Sequence, residues 1–387
     1  MRDVARQEDD AVRQPGGPPR PLVDLLVERV EREDLVALLQ EPGAQRTTDE
    51  AGAAGDEDGR NARTLAPVVG GTRPQACRYD RLAIVRVVPA LPSVRMLVVV
   101  FGGSATTLER LVAGTAAAAH HSVTSGRARS VALSLGDGSP SPVLDAEAAV
   151  RLDELGEGGG LTGVSYEFFD ANLGSAGGIN RLAASVDESC LLVLQPDTYP
   201  APTSLSTMLA ALDDPSVGAV DARQVPLVHP KDFDPRTGDT SWLSGACLLV
   251  RHEVFVSVGG FDSEHFFLHG DDVDFSWRVR LGGWRIVHEP RAVVFHDKRL
   301  GENGHFFPDA AERYYGALGR LMLAHKFDRH DVVMEAIAAI EADGTDDQRA
   351  ALDEWRRREA AGALPVPPAG ARTVAQFVGG DFATHRF

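Results

Sequence analysis

The sequence has few cysteines, no cluster of basic residues and no long apolar run. Its three cysteines, Cys77, Cys190 and Cys247, are odd in number and widely spaced, which excludes a disulfide framework and a thiolate metal site. Acidic residues outnumber basic ones by 56 to 39, for a net charge of −17, and they are spread along the whole chain. A nucleic-acid partner is therefore not expected, because such partners need a basic surface.

Signals for membrane spanning and export are also missing. No apolar run approaches the roughly 20 residues of a transmembrane helix, and residues 1–30 contain no signal-peptide core. We therefore expect a cytoplasmic protein. The segment ERYYGALGRLMLAHKF has an apolar face beside Arg and Lys, so peripheral contact with the inner face of the plasma membrane is one interpretation. Packing of this segment on the protein itself is the preferred one.

The chain divides by composition into three parts. Residues 1–75 are rich in Pro, Gly, Ala and acid, as in low-complexity segments that bury too little apolar surface to stay ordered. Within this N-terminal arm, PLVDLLVERVEREDLVALL has Leu and Val at helical spacing, which predicts one amphipathic helix. Residues 301–387 predict a C-terminal helical extension followed by a short tail.

The middle part, residues 76–300, alternates short apolar runs with helical stretches. The runs RMLVVVF, SVALSLG and CLLVLQ are continuous rather than alternating, as in strands that are buried on both faces. This order predicts an α/β domain with a mostly parallel central sheet flanked by helices.

A glycine-rich segment, ANLGSAGGINR, follows the strand-like VSYEFF and runs into a predicted helix. Gly174, Gly177 and Gly178 let the backbone approach a ligand closely, and the N–H groups at a helix start attract anions. The alternative is a tight strand-to-helix turn that needs glycine for steric reasons alone. The polar neighbours favour a ligand site: Asn172, Asn180 and Arg181.

Two further candidates follow apolar runs. Asp197 comes just after CLLVLQ, and ligands of parallel sheets gather at the carboxyl ends of strands. A carboxylate there suits a hard cation or a substrate, while a turn or a helix cap is an equally good explanation. His296 ends the run AVVFH, and its alternative is a structural hydrogen-bonding role.

The segment HGDDVDFSWRVRLGGW sets Asp271, Asp272 and Asp274 at the start of a short predicted helix. Carboxylates there cap free N–H groups and interact favourably with the helix dipole, and Asp274 is spaced to pair with Arg278. Capping accounts for one or two of the acids. Like charges this close raise at least one pKa, which suits a general base or a cation site.

Together these segments resemble the glycosyltransferase family 2 enzymes of GT-A fold, most closely their rhamnosyltransferase-like branch. The resemblance covers about residues 96–300 and rests on NLGSAGGINR, LLVLQPDT, SWLSGACLLVRHEVFVSVGGFD, FFLHGDDVDFSWRVRLGGWRIVHEP and VVFH. It implies a GT-A domain at residues 76–300. It also implies an inverting transfer of rhamnose or another hexose from a nucleoside diphosphate donor to a hydroxyl of a cell-envelope or polysaccharide precursor. The acceptor would be a glycan or a lipid-linked glycan.

The resemblance assigns roles to the acids. Asp272 would be the catalytic base, Asp271 would orient donor or acceptor, and Asp274 would serve the helix start. Such enzymes use Mg²⁺ or Mn²⁺, for which Asp197 is the first candidate ligand and His296 the second.

The resemblance also implies a set of donor-binding residues, although this sequence differs from the family pattern at some of their positions. The first strand ends in FGGSATT, where the family has a P-T-Y-N-like turn, so only backbone and hydroxyl contacts are available. Gln195 stands at the position of the family's first Asp, where the branch itself has Asn. Trp242 would face the sugar, with burial in the core as an equal alternative. The implied donor-binding residues are Gly103, Ser104, Asp137, Asn172, Gly174, Gly177, Gly178, Asn180, Arg181, Gln195, Trp242, Ser244 and Gly245.

Two other hypotheses compete with the transferase. A catalytically silent GT-A-like scaffold that binds nucleotide sugar or glycan is favoured by the altered first turn, by Gln195 and by the acidic N-terminal arm. A sugar-phosphate nucleotidyltransferase would carry a Gly-rich signature with Arg or Lys near its start, and the sequence has none there.

Overall fold

The computed structural model describes residues 90–228, 231–298 and 307–382. The predicted N-terminal arm and its amphipathic helix lie outside these residues. Within the described ranges, no helix has the length and apolarity needed to cross a membrane.

One eight-stranded sheet, in the order β3-β2-β1-β4-β7-β6-β8-β5, forms the centre. β1 to β4 run parallel, β7 runs against both β4 and β6, and β8 is parallel to β6 but antiparallel to β5. Only β7 and β5 therefore oppose the common direction, which confirms the predicted α/β class with a mostly parallel sheet. The strands are β1 (Ser93–Val100), β2 (Ser130–Asp137), β3 (Val164–Phe168), β4 (Cys190–Leu194), β5 (Thr198–Pro200), β6 (Val217–Val225), β7 (Cys247–Arg251) and β8 (Arg285–His296).

Helices cover both faces of this sheet and continue beyond it. In chain order they are α1 (Ala105–Thr124), α2 (Ala146–Gly159), α3 (Gly174–Ala183), α4 (Ser204–Ala211), α5 (His252–Ser257), α6 (Asp271–Leu281), α7 (Ala310–Lys326), α8 (His330–Asp343), α9 (Asp346–Ala360) and α10 (Ala371–Val374). Local signals fix several starts. Ser104 caps α1, and Asp309 with Glu312 forms a capping box at α7.

Side chains of β1 point alternately to the two faces of the sheet, and each face is covered by a different helix. Met96 and Val98 pack with Leu108 of α1 on one face, while Leu97 packs with Ile179 of α3 on the other. Both sets are fully or almost fully buried. Apolar side chains on successive positions therefore serve two separate cores, as expected for a sheet with helices on both faces.

The C-terminal helices form a third core with the outer side of α6. Trp277 of α6 lies at the centre of this cluster, and its ring centroid is 4.7 Å from that of Phe327 at the end of α7. The segment ERYYGALGRLMLAHKF thus packs on the protein through Leu321 and Met322, which are fully buried.

Lys326, at the end of α7, adds an electrostatic link to α6. Its Nζ lies 2.6 Å from Asp274 Oδ1 and 2.6 Å from Asp262 Oδ2. Asp274 is fully buried and also bonds Arg278 at 2.7 Å, the pairing predicted from their spacing. Burial alone would raise the pKa of Asp262, but hydrogen bonds from His265 and Lys326 hold it well below the usual range. One ammonium group thus bonds two carboxylates: the buried Asp274, which Arg278 also pairs with, and the half-buried Asp262, which His265 also pairs with.

Replacing Lys326 by methionine should therefore destabilise the protein strongly. The change leaves Asp274 with Arg278 alone and Asp262 with His265 alone, and loss of one partner of a buried ion pair costs up to about 3–5 kcal/mol. The control is Arg127→Met, because Arg127 and Asp213 form a solvent-exposed pair at 2.8 Å and such pairs contribute about 0–1 kcal/mol. Urea denaturation of both variants measures the two losses, and equal losses would contradict the role given to Lys326.

Candidate active site

The carboxyl edge of the parallel strands carries the candidate site. β4, β6 and β8 end at this edge, and the reversed strands β5 and β7 begin there. A cavity of about 580 Å³ opens at the edge and extends along the C-terminal helices. Its polar lining from the α/β domain includes Ser175, Gln195, Gln224, Ser244, Gly245, Asp271, Asp272 and His296. The acidic segment and the strand ends therefore line one cavity.

Two N–H groups fix the carboxylate of Asp272. Its Oδ2 accepts a hydrogen bond from Gly245 N at 3.0 Å, and its Oδ1 accepts one from Val273 N at 2.9 Å. A methyl group on Gly245 would lie only 3.3 Å from Asp272 Cβ, so this close approach suits glycine. The N-cap position of α6 is Gly270 at φ 81°, and no side chain among the described residues caps this end.

Asp271 has a strongly raised pKa. Burial first, and the charge of Asp272 second, raise the pKa of Asp271 to about 7, although a hydrogen bond with Ser175 opposes the rise. Asp274 points elsewhere, into the ion pairs with Arg278 and Lys326. The three acids thus divide into two that line the cavity and one that holds the fold together.

His296 is fixed by an amide that the sequence analysis missed. Its Nδ1 lies 2.6 Å from Gln224 Oε1, and Gln224 Nε2 donates to Ser244 Oγ at 2.8 Å. Since an amide oxygen only accepts, Nδ1 is the nitrogen that donates to Gln224. Nε2 is buried and makes no hydrogen bond within the described residues. It lies 3.4 Å from Asp197 Oδ1.

Asp197 is brought to His296 by the short pairing of β5 with β8. Thr198 is the ladder partner of His296, and Asp297 N donates to Asp197 O at 2.8 Å. Burial opposes ionisation of Asp197, but the adjacent imidazole of His296 holds the pKa of Asp197 below the usual value. Its side chain remains 45% exposed, so one carboxylate oxygen can still meet a ligand.

The pair formed by Asp197 and His296 fits a divalent cation. A carboxylate oxygen and a buried imidazole nitrogen without a hydrogen-bond partner lie side by side, and this donor set suits Mn²⁺. No cluster of three or more His, Cys, Asp or Glu with metal-binding geometry occurs in the described ranges. An ion held here would therefore take its remaining oxygens from water and from ligand phosphate, as Mg²⁺ commonly does.

A buried charge cluster supports the turn beside Asp272. Asp221 is fully buried; its Oδ2 accepts from Ser244 N at 2.8 Å, and its Oδ1 lies 2.8 Å from His288 Nδ1. Lys231 also donates to this carboxylate. Burial opposes its ionisation, yet Lys231 and His288 hold the pKa of Asp221 below the usual value. The cluster therefore fixes the turn that presents the N–H group of Gly245.

Most residues of the glycine-rich segment pack against neighbouring parts of the protein and do not line the cavity. A methyl group on Gly178 would lie 2.6 Å from Val99 Cγ2, and one on Gly174 would lie 2.2 Å from Phe267 O. Asn180 bonds both the N and the O of Phe261, at 2.9 and 2.7 Å. Arg181 pairs with Glu167 at 2.7 Å and lies over the Phe169 ring. In the described structure only Ser175 of this segment lines the cavity.

Three other implied donor-binding residues lie at the ends of β1 and β2, away from Asp272. Gly103 and Ser104 are exposed, and the adjacent Gly102 N donates to Ser139 Oγ at 2.8 Å. Asp137 is fully buried, and its carboxylate accepts from Ser139 N and Val143 N, each at 2.8 Å. Burial opposes ionisation there, but hydrogen bonds from Ser139 and Tyr166 lower the pKa of Asp137.

Asn172 and Trp242 complete the predicted set. Asn172 is exposed, and its Oδ1 accepts from Gly174 N at 3.1 Å. Trp242 is only 2% exposed; its ring centroid lies 5.7 Å from that of Phe382 and 4.1 Å from Lys231 Nζ. Its ring belongs to the third core, which corresponds to the structural alternative considered for it, while Ser244 and Gly245 line the cavity.

Curated proteins related in sequence are glycosyltransferases. The chain is 29% identical over 209 residues to an N-acetylglucosaminyl-diphospho-decaprenol L-rhamnosyltransferase of Mycobacterium tuberculosis, covering 42% of this chain and 63% of the relative. It is 30% identical over 146 residues to a pre-mycofactocin glycosyltransferase of the same species, covering 33% of this chain and 30% of the relative. The chain thus spans less than two thirds of the length of these relatives.

The solved structures that resemble this chain share less sequence identity with it than the curated relatives do. One is the mannosyltransferase PcManGT of Pyrobaculum calidifontis in complex with GDP-Man and Mn²⁺, at 17% identity and TM-score 0.47, covering 71% of this chain and 77% of that one. Another is GalNAc-T7 with UDP, GalNAc and Mn²⁺, at 15% identity and TM-score 0.48, covering 72% and 59%. No protein-family model matches the sequence. The curated relatives confirm the resemblance to glycosyltransferases of the rhamnosyltransferase-like branch.

The raised pKa of Asp271 predicts a specific dependence of stability on pH. The native state should bind one more proton than the unfolded state between about pH 4 and 7, because an unfolded Asp titrates near 3.9. Stability therefore falls as pH rises through this window. Asp271→Asn removes this titration. The free energy of unfolding of the variant should therefore rise relative to that of the wild type from pH 4 to 8, by up to about 4 kcal/mol. Urea denaturation across this range tests it; a constant difference between the two proteins would contradict it.

Proposed function

We propose that the chain transfers a hexose from a nucleoside diphosphate donor to a hydroxyl of a lipid-linked cell-envelope or polysaccharide precursor, with inversion at the anomeric carbon. The observation that carries the proposal is that Asp272 and His296 line one cavity, with Asp197 in contact with His296. The relative from Mycobacterium tuberculosis, named as a rhamnosyltransferase, supports rhamnose as the sugar and a lipid-linked diphosphate as the acceptor.

Inverting transfer needs a base for the acceptor hydroxyl and a site for the departing diphosphate. Asp272 is the proposed base, because its carboxylate is held in place by Gly245 N and Val273 N and lines the cavity. Asp271 is proposed to orient the reacting hydroxyl. With a pKa near 7 it exchanges its proton at neutral pH, so it donates or accepts a hydrogen bond as the ligand requires.

The departing diphosphate is assigned to the end of β8. Asp197 and His296 would hold Mg²⁺ or Mn²⁺ there, and Gln195 would add a neutral oxygen from the same edge of the sheet. A bound ion supplies Lewis-acid stabilisation of the charge that develops on the diphosphate. Gln224 orients His296 by accepting from Nδ1, and Ser244 in turn orients Gln224.

The nucleoside is assigned to the ends of β1 and β2. Gly103 and Ser104 are exposed there, so their backbone and hydroxyl groups are open to a ligand. Asp137 is proposed to act through the turn it holds, because its carboxylate is occupied by Ser139 and Val143. Asn172, beside this turn, is also exposed.

A silent scaffold that binds nucleotide sugar or glycan is the second candidate. It is favoured by Gln195, since an amide replaces a carboxylate beside a cation site whose ionisable ligands, within the part of the chain that the structure describes, are Asp197 and His296. A scaffold would bind nucleoside diphosphate with metal but would not transfer sugar.

Asp272→Asn should abolish transfer and preserve donor binding. Loss of a general base lowers the rate about 10²–10⁴-fold, and the amide keeps the size of the side chain. The assay follows transfer from a panel of nucleotide sugars to a short-chain lipid diphosphate sugar with Mn²⁺, with nucleoside diphosphate binding measured in parallel. Asp213→Asn, at a surface carboxylate that is 68% exposed, is the matched control. Full transfer by the Asp272 variant would exclude it as the base, and a wild type that only binds would support the scaffold.

Gln224→Leu should weaken metal binding while leaving the fold intact. The substitution removes the acceptor that fixes His296 Nδ1–H, and loss of such a partner typically lowers metal affinity about 10–100-fold. Gln224→Glu keeps an acceptor at this position and should retain more affinity. Mn²⁺ titration in the presence of a nucleoside diphosphate measures both variants, and equal affinities for Leu and Glu would contradict the positioning role of Gln224.

A further inference from the structure

One wall of the cavity comes from α7, outside the α/β domain. Arg313, Gly316, Ala317 and Arg320 all line it, and their spacing of three and four residues places them on one face of the helix. In a chain of net charge −17, this face adds two cationic groups to the cavity that contains Asp271 and Asp272.

The two arginines differ in their partners. Arg313 Nη2 lies 2.7 Å from Asp347 Oδ2, and its Nη1 donates to Pro308 O at 2.6 Å. Arg320 makes no ion pair with the described residues, and its Nε is buried without a hydrogen-bond partner there. A partly buried guanidinium with an unpartnered N–H group can bind an anion that enters the cavity through charge-assisted hydrogen bonds.

A tight turn closes over the same guanidinium. Val378 and Asp381 form an antiparallel bridge, and Gly380 between them has φ 78°. A methyl group on Gly380 would lie 2.8 Å from Arg320 Nη2 and 2.5 Å from Glu335 Oε1. The two nearby acids make no ion pair with Arg320 in the described structure: Asp381 Oδ1 accepts from Phe382 N at 2.7 Å, and Glu335 is exposed.

Apolar side chains continue the cavity next to this turn. Ala336 and Ile340 of α8, together with Val378 and Phe382, line it as Arg320 does. Val378 is 46% exposed, so apolar surface is open to a ligand. A ligand that contacts both Arg320 and these apolar side chains would therefore have an anionic group attached to a hydrocarbon chain.

We propose that Arg320 binds the phosphate or diphosphate group of the acceptor, with the apolar residues of α8 and the 378–382 turn contacting the start of its lipid chain. The assignment rests on the proposed function. It gives the two anionic groups of the reaction different binding sites in one cavity. The donor diphosphate goes to Asp197 and His296, whereas the acceptor phosphate goes to Arg320. A guanidinium suits this role because it binds phosphate oxygens through two parallel hydrogen bonds.

The test measures binding of farnesyl diphosphate to the full chain by calorimetry, with a chelator to exclude metal. Arg320→Gln should weaken binding about tenfold or more, because a charge-assisted hydrogen bond is lost. The control is Arg372→Gln, which makes the same change of charge at a side chain that is 68% exposed and 4.0 Å from its nearest carboxylate partner. The melting temperature of Arg320→Gln should not fall, because no internal ion pair is removed.

Three results would overturn the inference: unchanged binding in Arg320→Gln, equal loss in Arg372→Gln, or no binding of farnesyl diphosphate to the wild type. A second arm measures nucleoside diphosphate with Mn²⁺, which Arg320→Gln should bind like the wild type. Loss in this arm would place Arg320 in the donor site instead. Inorganic pyrophosphate, tested without metal, should bind more weakly than farnesyl diphosphate if the apolar wall contributes. A wild type that binds farnesyl diphosphate but no nucleoside diphosphate would refute the proposed function and leave the anion site standing.

Discussion

The turn at Ser244, Gly245 and Ala246 holds the candidate site together, since each of its residues is fixed by a different part of the chain. Ser244 N donates to Asp221, its Oγ accepts from Gln224, and Gly245 N donates to Asp272. Ala246 O accepts from Gln195 N at 3.1 Å. The base candidate, the orienting amide and the end of β4 therefore keep their relative positions through one short stretch of backbone.

Charge compensation distinguishes the acids that support the fold from Asp271, which lines the cavity. Asp221 and Asp274 are both fully buried, and each is matched by nearby cations. Asp271 is almost as buried, and burial together with the charge of Asp272 raises its pKa to about 7. A compact fold tolerates such an uncompensated group mainly where a ligand arrives, and Arg320 is the cationic counterpart in the same cavity.

Local patterns in the sequence predict much of this architecture. The mostly parallel sheet, the helix that starts at the three acids and the Asp274–Arg278 pair all follow from periodicity and spacing, because they depend on neighbours along the chain. The reversal of β7 does not, since strand direction is decided by pairing with β4 and β6 rather than by composition. Gln224 was missed as a site-supporting residue because its partner His296 lies 72 positions away along the chain. A polar residue near the end of an apolar strand was the available signal for Gln224. The roles of the glycines depend on which atoms surround each of them in the folded structure, and the sequence does not show these contacts.

Helix α7 divides its two tasks between opposite faces. Leu318, Leu321 and Met322 anchor it in the third core, while Gly316 and Arg320 lie on the side of the cavity. Substitutions on the cavity side would leave the anchoring side untouched. Descendants of this chain could therefore alter which ligands the cavity admits by exchanging a few side chains on a single helix, with the scaffold beneath preserved.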